Sequence, residues 1–478
     1  MTIQAVDYIR ILPELMLAIF GILVMLVDPL IPEQESKRPL GYIALVGVLA
    51  ALGATAYQAQ FPGEGFFDMV RVDNFSIFFH IVVLMVTLVV VLSSFDYLEV
   101  QQIKAGEYFG LVLFAAVGMG LMSSAIELVL IFIAIEISSI SSYILAGFRR
   151  RAAESAESSL KYFLLGSFAT AFFLYGVAMV FGATGTTNVY KIADVLNTQP
   201  PVVVYLAIGL MFVGVGFKIA AAPFHIWTPD VYEGAPAPVT GFMSTGPKAA
   251  AFAVLLRVLF ATGAPGWFWM VWVSAILSMT LGNIGALVQN NIKRLLAYSS
   301  IAHAGYLLVA FAAAKTTGIS AAIFYAASYA AMNVGAFAIV AHLSGKGERY
   351  VTLEDYTGLG RRSPLIAGLL TIFLISLVGI PVTGGFIAKF YVFTAALQSN
   401  LVGLTIIGVI NSAIAAYYYL RVIVYMYMRD EQGHTPVAPM PAGLKAAVAI
   451  SCVATIYLGV MPAQVLGDAT RAAQDLVR

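Results

Sequence analysis

The stretch VVVYLAIGLMFVGVGFKIAAAPFHI, residues 202–226, decides the fold of this chain. It is apolar over the length of about 20 residues that a helix needs to cross a bilayer. Yet it carries Lys218, and the helix breaker Pro223 follows five residues later. A charge and a helix break are tolerated at that depth where they line protein or a water-filled cavity. The stretch therefore predicts an interrupted membrane helix that faces a polar interior.

The composition extends this prediction to the whole chain. Of its 478 residues, 60% are hydrophobic and only 11% are charged, whereas a soluble domain carries about 25% charged residues. The charges cluster in short segments between long apolar runs, as loops between membrane spans do. The formal net charge of +1 gives no indication of a nucleic-acid partner. We therefore predict an all-α integral membrane protein that forms a single polytopic domain, residues 1–478.

Apolar runs long enough to cross the membrane recur along the chain, and they predict about fourteen transmembrane helices. The junctions near residues 125 and 399 are the least distinct. The runs lie near residues 9–28, 39–59, 74–95, 107–124, 126–148, 159–183, 202–226, 239–262, 267–288, 294–314, 318–343, 364–398, 400–427 and 442–463.

The distribution of lysine and arginine between alternate loops predicts the orientation. The richer side is expected in the cytoplasm by the positive-inside rule, which leaves both termini outside. The richer set is Lys37, Arg38, Lys104, Arg149, Arg150, Arg151, Lys293, Arg294, Lys346, Arg349, Arg361, Arg362 and Arg429. The poorer set is Arg10, Arg71, Lys191, Lys315, Arg471 and Arg478.

Four charged residues fall deep within apolar runs: Glu136, Lys218, Lys248 and Lys389. A central charge costs about 2.5–3.5 kcal/mol on insertion scales, and such residues normally face a bundle interior. Each one alone could be a structural ion pair or a snorkelling side chain. Four of them, near the middle of four different helices, favour a charge path through the membrane.

A second predicted helix resembles the first in being interrupted. The segment GIPVTGGFIAK, residues 379–389, places glycines and a proline just before Lys389. The two interrupted helices are numbers 7 and 12, five apart, and a unit of five helices repeated in tandem enters the membrane from opposite sides. We therefore predict two inverted five-helix repeats. Helices 1–3 occupy residues 1–106. The first repeat, helices 4–8, occupies residues 107–262, and the second, helices 9–13, occupies residues 267–427. The last helix occupies residues 442–463.

Other polar residues permit more than one interpretation. His303 is either a proton relay or a packing residue, and His80 is interpreted as structural. Arg257 and Lys161 are expected near the membrane interface. The proline-containing segment 225–240 is interpreted as a rigid connector. The single cysteine, Cys452, and the widely spaced histidines offer no cofactor or metal site, so any redox chemistry is expected in a partner.

Several motifs resemble the antiporter-like membrane subunits of proton-pumping NADH-quinone oxidoreductase, respiratory complex I. Three further segments look most like its subunit N family. The first group comprises Lys218 with Pro223, TPDVYEGAP (228–236), IKRLLAYSS (292–300) and the 379–389 segment; the second comprises LPEL (12–15), AGFR (146–149) and KYFLLGS (161–167).

This resemblance implies a fold of fourteen helices and a role for each buried charge. Glu136 matches a helix 5 glutamate that pairs with the helix 7 lysine, Lys218. Lys248 matches the helix 8 lysine that connects the two ends of the proton path. Lys389 matches the helix 12 lysine nearest the outward exit of that path, and His303 matches a common histidine position. It also implies a multi-pass subunit of a bacterial inner membrane. Its partners are other membrane subunits, lipid and protons; flavin, iron–sulfur clusters and quinone bind elsewhere in the complex.

The mechanism expected from these residues couples quinone reduction in other subunits to proton transfer through this one. To exchange a proton near neutral pH, a lysine must have its charged form destabilised by about 4–5 kcal/mol, which burial can supply. The hypothesis is that Glu136 and Lys218 form the switch. Two alternatives remain: an Mrp-type cation/proton antiporter subunit, and a structural membrane subunit that moves no protons.

Overall fold

A computed structural model describes residues 4–32, 35–196, 202–261, 266–430 and 437–477. Nearly all of this part is helical, with one small hairpin of strands β1 (Gly63–Gly65) and β2 (Val70–Val72). The helices are α1 (Ala5–Ile9), α2 (Leu12–Val27), α3 (Arg38–Gln58), α4 (Asn74–Val100), α5 (Glu107–Ser124), α6 (Leu128–Ala146), α7 (Ala153–Thr184), α8 (Val189–Leu196), α9 (Val202–Lys218), α10 (Trp227–Gly234), α11 (Ala237–Ala261), α12 (Trp267–Leu287), α13 (Ile292–Ala312), α14 (Thr316–Leu343), α15 (Leu359–Arg362), α16 (Pro364–Val378), α17 (Gly384–Gln398), α18 (Val402–Met428), α19 (Ala442–Val460) and α20 (Ala463–Val477). Short 3₁₀ turns occupy Asp28–Leu30, Lys346–Glu348 and Leu353–Tyr356.

Within the described ranges, 12 helices are long and apolar enough to cross a membrane. Two further positions in the bundle are filled by interrupted helices, α9 followed by α10 and α16 followed by α17. These are the places at which the sequence predicts helices 7 and 12 to break. The all-α membrane fold and the interruptions are therefore confirmed. The two indistinct junctions also exist: Ala125 forms an isolated β-bridge with Val70, and Asn400 turns the chain with a φ of 59°.

Three helices form the centre of the bundle. The apolar windows of α11, α13 and α14 are 100%, 94% and 89% buried, whereas that of α2 is only 28% buried. A helix that is apolar all round and buried all round has no lipid face. Polar side chains on these three helices therefore point into protein, and Lys248 and His303 are among them.

Two matching β-bridges tie the bundle at opposite ends. Before α6, Glu127 pairs with Asn188, which follows α7; before α13, Asn291 pairs with Thr352, which follows α14. In both, the first residue of the helix donates to the residue preceding the partner, Leu128 N to Thr187 O and Ile292 N to Val351 O. In both, the side chain of the first bridge residue caps its helix.

Contacts around these bridges show which end of the bundle each one occupies. Asn188 donates to Asp68 O at the end of the bundle where α6 begins. Asn291 donates to Glu233, whose neighbour Gly234 accepts from Arg149 just beyond the other end of α6. The two copies of the motif therefore lie at opposite ends of the bundle.

The helix α20 was not predicted. It is amphipathic rather than uniformly apolar, so a search for apolar runs does not detect it. Its buried residues Ala469, Ala472, Ala473 and Leu476 follow a helical period and pack against α4 and α14. Asp475 on this helix accepts hydrogen bonds from the backbone and side chain of Asn74, at the start of α4.

Arg257, expected near the membrane interface, is buried in the protein at the end of the bundle where α4 begins. Its side chain is 1% exposed and forms a two-pronged ion pair with Asp73, at 3.0 and 3.2 Å, and it also donates to Ser123 O. Asp73 caps α4 by accepting from Ser76 N. Burial alone raises the pKa of Asp73, but Arg257 outweighs it, and the pKa is lowered overall. The pair secures the end of the bundle where α4 begins.

Replacing Asp73 with Asn should lower the free energy of unfolding by about 3–5 kcal/mol, since the buried Arg257 charge would lose its counter-ion. Asn caps helices as well as Asp, so the loss reports the ion pair. Because the pKa of Asp73 is lowered in the fold, its contribution is present above about pH 4 and is lost as pH falls below that. Thermal unfolding of the purified complex at neutral pH measures the change.

The matched control is Asp68→Asn, which removes an exposed ion pair with Lys191. That change should alter stability by less than about 1 kcal/mol. Equal effects of the two substitutions would contradict the structural role of Asp73.

Candidate functional site

The first interrupted helix ends at Lys218. Beyond it, the backbone of Ala222 accepts from Ser274 Oγ at 2.6 Å and donates to Ser278 Oγ at 2.8 Å. Trp227 Nε1 donates to Phe217 O at 3.1 Å. Side chains thus satisfy the backbone groups freed by the break, as a bilayer interior requires. The break carries α10 back against the bundle and leaves Lys218 at the end of α9, where the helix dipole favours a cation.

Lys218 does not form the predicted ion pair with Glu136. Its ammonium donates to Ser139 Oγ at 2.8 Å, and among the described residues no Glu136–Lys218 pair lies within 4 Å. Ser139 is three residues after Glu136 on α6, so the two side chains share one face of the helix. Lys218 is buried, whereas Glu136 is half-buried. Glu136 therefore lies one helical turn before the serine that Lys218 contacts.

Lys248 lies on the fully buried helix α11. Its ammonium donates to the carbonyl of Ser300 at 3.1 Å and to the hydroxyl of the same residue at 2.5 Å. It lies 6.0 Å from the centre of the Tyr232 ring. Ser300 is on α13, so Lys248 joins the two central helices through neutral oxygen atoms.

An aromatic wall separates Lys218 from Lys248. The rings of Tyr162 and Trp227 stack with centres 4.5 Å apart, and Tyr232 meets Trp227 edge-on at 5.8 Å. Lys218 Nζ lies 5.9 Å from the Tyr162 ring. In the part of the chain that the structure describes, no hydrogen bond bridges this wall.

His303 lies at the centre of a polar cluster on α13, α14 and α18. Its Nδ1 is 2.7 Å from the hydroxyl of Tyr325, and its Nε2 is 3.3 Å from the hydroxyl of Tyr419. Tyr419 also bonds to Ser299, which neighbours Ser300, the partner of Lys248. Hydroxyl and imidazole groups at these distances can pass protons along hydrogen bonds.

The second interrupted helix places Lys389 against the end of its own first half. The ammonium donates to Leu377 O at 3.1 Å, Val378 O at 2.8 Å and Ser412 Oγ at 3.0 Å. The two carbonyls belong to the last turn of α16 and have no partner within that helix, so a cation is favoured there. Lys389 Nζ also lies 4.8 Å from the Tyr306 ring, which contacts His303.

Glycine makes this close packing possible. A Cβ on Gly385 would lie 1.8 Å from Ser376 O, so any larger residue would push α17 away from α16. Gly379, with a φ of 91°, ends α16 in the left-handed conformation.

A chemical contrast distinguishes the three path lysines from other buried cations. Arg257 and Lys293 each pair with a carboxylate. The path lysines Lys218, Lys248 and Lys389 bond only to serine hydroxyls and backbone carbonyls, and within the described residues no carboxylate lies within 4 Å of them. A neutral acceptor stabilises a buried ammonium less than a carboxylate does. The path lysines are therefore the buried cations that can lose a proton at the lowest cost.

Sequence reasoning missed a buried carboxylate, Glu348, in the loop after α14. It forms ion pairs with Lys293 at 2.7 Å and Arg149 at 3.4 Å. Burial alone raises the pKa of Glu348, but the two cations outweigh it and lower the pKa overall. The sequence shows Glu348 only as one charge among Lys346 and Arg349 in a polar loop, so no local signal marks it.

The segment 225–240 differs from the predicted connector, because residues Trp227–Gly234 form α10 and α11 begins at Ala237. Its two acids are paired: Arg294 contacts Asp230 and Glu233, each at 2.8 Å. Lys161 contacts Asp230 at 2.7 Å.

The described residues contain no group of three or more His, Cys, Asp or Glu side chains that could hold a metal ion. The arrangement instead offers protonatable groups, joined in part by hydroxyls, across the buried centre of a membrane bundle. That combination defines an antiporter-like membrane protein.

Comparison with known proteins assigns the family. A family model described as NADH:quinone oxidoreductase/Mrp antiporter, transmembrane, matches residues 125–415. NADH-quinone oxidoreductase subunit N 2 of Koribacter versatilis is 69% identical over 485 residues, covering 100% of this chain and 99% of that protein. The chain belongs to the family of NADH-quinone oxidoreductase subunit N.

Solved structures agree with this assignment. A chain of respiratory complex I from Thermus thermophilus, with bound aureothin, is 37% identical with a TM-score of 0.82, covering 95% of this chain and 98% of that one. A chain of the Mrp complex from Dietzia has a TM-score of 0.87 at 20% identity, covering 99% and 97%; that likeness shows the fold alone. The predicted family and function, an antiporter-like proton-translocating subunit of NADH-quinone oxidoreductase, are confirmed, whereas the residue roles stay predictions.

Proposed function

We propose that Glu136, Lys218, Lys248 and Lys389, with His303, carry protons through this subunit. The observation that supports this most strongly is the pairing of the three lysines with neutral oxygens alone. A charge in hydrocarbon that lacks a counter-ion is costly, and membrane proteins keep such residues mainly for transport. The drive is quinone reduction in other subunits of the complex.

The Lys218 site acts as the switch. With its ammonium on Ser139, the lysine has only a neutral partner and releases its proton readily. A turn of the side chain toward Glu136 gives it a carboxylate partner and holds the proton. The proton leaving Lys218 passes the aromatic wall by way of water and is taken up by Lys248.

From Lys248 the path continues through the hydroxyl groups of the central helices. Ser300 and Ser299 lead to Tyr419 and His303. Tyr306 and Ser412 then border Lys389. Lys389 releases the proton toward the outer side, and the carbonyls at the end of α16 hold the lysine in place while it is charged.

The subunit works as part of a larger assembly. We propose that flavin, iron–sulfur clusters and quinone are bound by partner subunits, since the sequence has one cysteine and no nucleotide-binding loop. The relatives' name, NADH-quinone oxidoreductase subunit N, supports partners of that kind. In a bacterial inner membrane, the end bearing Arg149 and Lys293 faces the cytoplasm and both termini lie outside.

Two inverted repeats, residues 107–262 and 267–427, account for the two interrupted helices. The matching β-bridges support this, because they occupy equivalent places before the second and after the third helix of each unit. They lie at opposite ends of the bundle, as inversion requires. A superposition of the two units should give a two-fold axis in the plane of the membrane; an axis along the membrane normal would refute it.

Replacing Lys218 or Lys389 with Ala should reduce quinone-linked proton pumping by at least about tenfold, the effect of a barrier raised by about 1.4 kcal/mol. Quinone reduction should fall with it, because the two processes are coupled. Both are measured side by side in membranes with equal amounts of assembled complex.

The control is Lys445→Ala, which removes an exposed lysine near the start of α19. It should leave both rates unchanged. Normal pumping and normal quinone reduction in both the Lys218 and Lys389 variants would show that these buried charges are structural.

The orientation has its own test in a chain whose Cys452 is replaced by Ser. A single cysteine at exposed Arg151 should react with a membrane-impermeant thiol reagent only in inverted vesicles. One at exposed Arg471 should react only in intact cells stripped of the outer membrane. The reverse pattern would overturn the assignment of sides.

A further inference from the structure

The carboxylate of Glu348 is bound by four different parts of the bundle. Tyr97 of α4 donates to it at 2.6 Å, and the backbone N–H of Ala237, the first residue of α11, donates at 2.7 Å. Lys293 of α13 and Arg149 of the turn between α6 and α7 form its ion pairs. Only α13 and the loop itself belong to the second half of the chain.

The loop that presents Glu348 is held in an unusual conformation. Glu348 has a φ of 52°, which is uncommon for a residue with a side chain, and Gly345 and Gly347, just before it, have φ values of 64° and 74°. Backbone in this region persists where surrounding contacts enforce it, and it often marks functional sites. Gln101 of the chain after α4 binds both Gly345 O and Gly347 N, which fixes the turn that leads into Glu348.

The cluster formed by Glu348 and the groups that bind it also contacts the start of α11. Lys293 Nζ donates not only to Glu348 but also to Glu233 O, in the last turn of α10, and to Ala235 O, between α10 and α11. The N–H groups at the start of a helix have no partner within it, and a carboxylate is favoured there. Glu348 therefore fixes the depth at which α11 begins.

That depth determines where Lys248 lies. Lys248 follows Ala237 by eleven residues on the same helix, a distance of about 16 Å along its axis. Its partner Ser300 lies on α13, which carries Lys293 at its start. Glu348 and Lys293 thus join α11 to α13 at one end of the bundle. The Lys248–Ser300 contact joins the same two helices deeper in the bundle.

We propose that Glu348 is a positioning residue for proton transfer, which holds α11 in register with α13 so that Lys248 meets Ser300. The inference rests on the proposed path through Lys248. It adds a contact by which the loop after α14, in the second half of the chain, controls a proton-carrying lysine in the first half.

An open cavity of about 390 Å³ beside the cluster gives this control a route to water. Among the residues lining it are Lys293, Glu348, Arg149 and Asp230. The cluster therefore lies between solvent and the start of α11. Its ion pairs, as well as packing, hold that end of the helix in place.

Two substitutions separate the charge of Glu348 from its length. Glu348→Gln keeps the shape but leaves Lys293 and Arg149 without a buried counter-ion. Glu348→Asp keeps the charge, but it is one carbon shorter and cannot reach Ala237 N and Lys293 together. The rate of quinone-linked proton pumping is measured in membranes, normalised to assembled complex.

We expect the rate of pumping per assembled complex to fall about fivefold in Glu348→Gln and at least twofold in Glu348→Asp. Glu354→Gln, an exposed carboxylate in the same loop region, should have no effect. If the complex with Glu348→Gln does not assemble, the expected twofold loss in Glu348→Asp tests the proposal. Wild-type pumping per complex in every variant that assembles, even at reduced amounts, would show a purely structural role and overturn the proposal.

A parallel Lys248→Ala variant separates this inference from the proposed function. If Lys248→Ala pumps normally, the proposed path itself is wrong. If Lys248→Ala loses pumping while the assembled Glu348 variants keep it, only the positioning role of Glu348 is wrong.

Discussion

The cost of holding a charged amine within the hydrocarbon thickness of a membrane governs this structure. In a medium of low dielectric constant, an ammonium group must find a counter-ion, find dipoles, or lose its proton. The chain uses the first solution for Arg257 and Lys293 and the second for Lys218, Lys248 and Lys389. Where only dipoles are available, the third solution stays within reach, and proton transfer becomes possible.

This distinction divides the molecule along the membrane normal. The pairs Arg257–Asp73 and Lys293–Glu348 lie at opposite ends of the bundle and hold helix ends in place. The lysines with neutral partners lie between them. Strong ion pairs in the middle would fix the charges permanently, and weak ones at the ends would leave the helices free to slide. The same residue types therefore stand in different surroundings, beside carboxylates at the ends of the bundle and beside neutral oxygens in its middle.

Interrupted helices supply the dipoles. A continuous helix satisfies its own carbonyls and offers none to a lysine, whereas the end of α16 presents Leu377 O and Val378 O to Lys389. The break after α9 is stabilised by serines of α12 instead, and Lys218 is left to Ser139. Both halves of the chain thus place a lysine against neutral oxygens, but they do so by different contacts.

The sequence predicted the features that depend on local pattern. Apolar runs placed the spans, and charges beside Pro223 and Gly379 placed the breaks. What depends on distant contacts was missed: the acceptors Ser139 and Ser300, the burial of Arg257 against Asp73, and the buried carboxylate of Glu348. A serine in a membrane helix looks the same in sequence whether or not a lysine reaches it. The amphipathic α20 was missed because only the helical period of its buried residues reveals it, and its mean hydropathy does not.

Arginine substitution tests the central claim most directly, because arginine keeps the positive charge and does not release its proton. In Lys218→Arg and Lys389→Arg, assembled complex is quantified first, and then the rate of quinone-linked proton pumping per complex is measured. If these lysines work by giving up a proton, that rate is lost although the charge remains. Wild-type pumping with arginine at both positions would show that the charge alone is needed, and would contradict proton transfer through these residues.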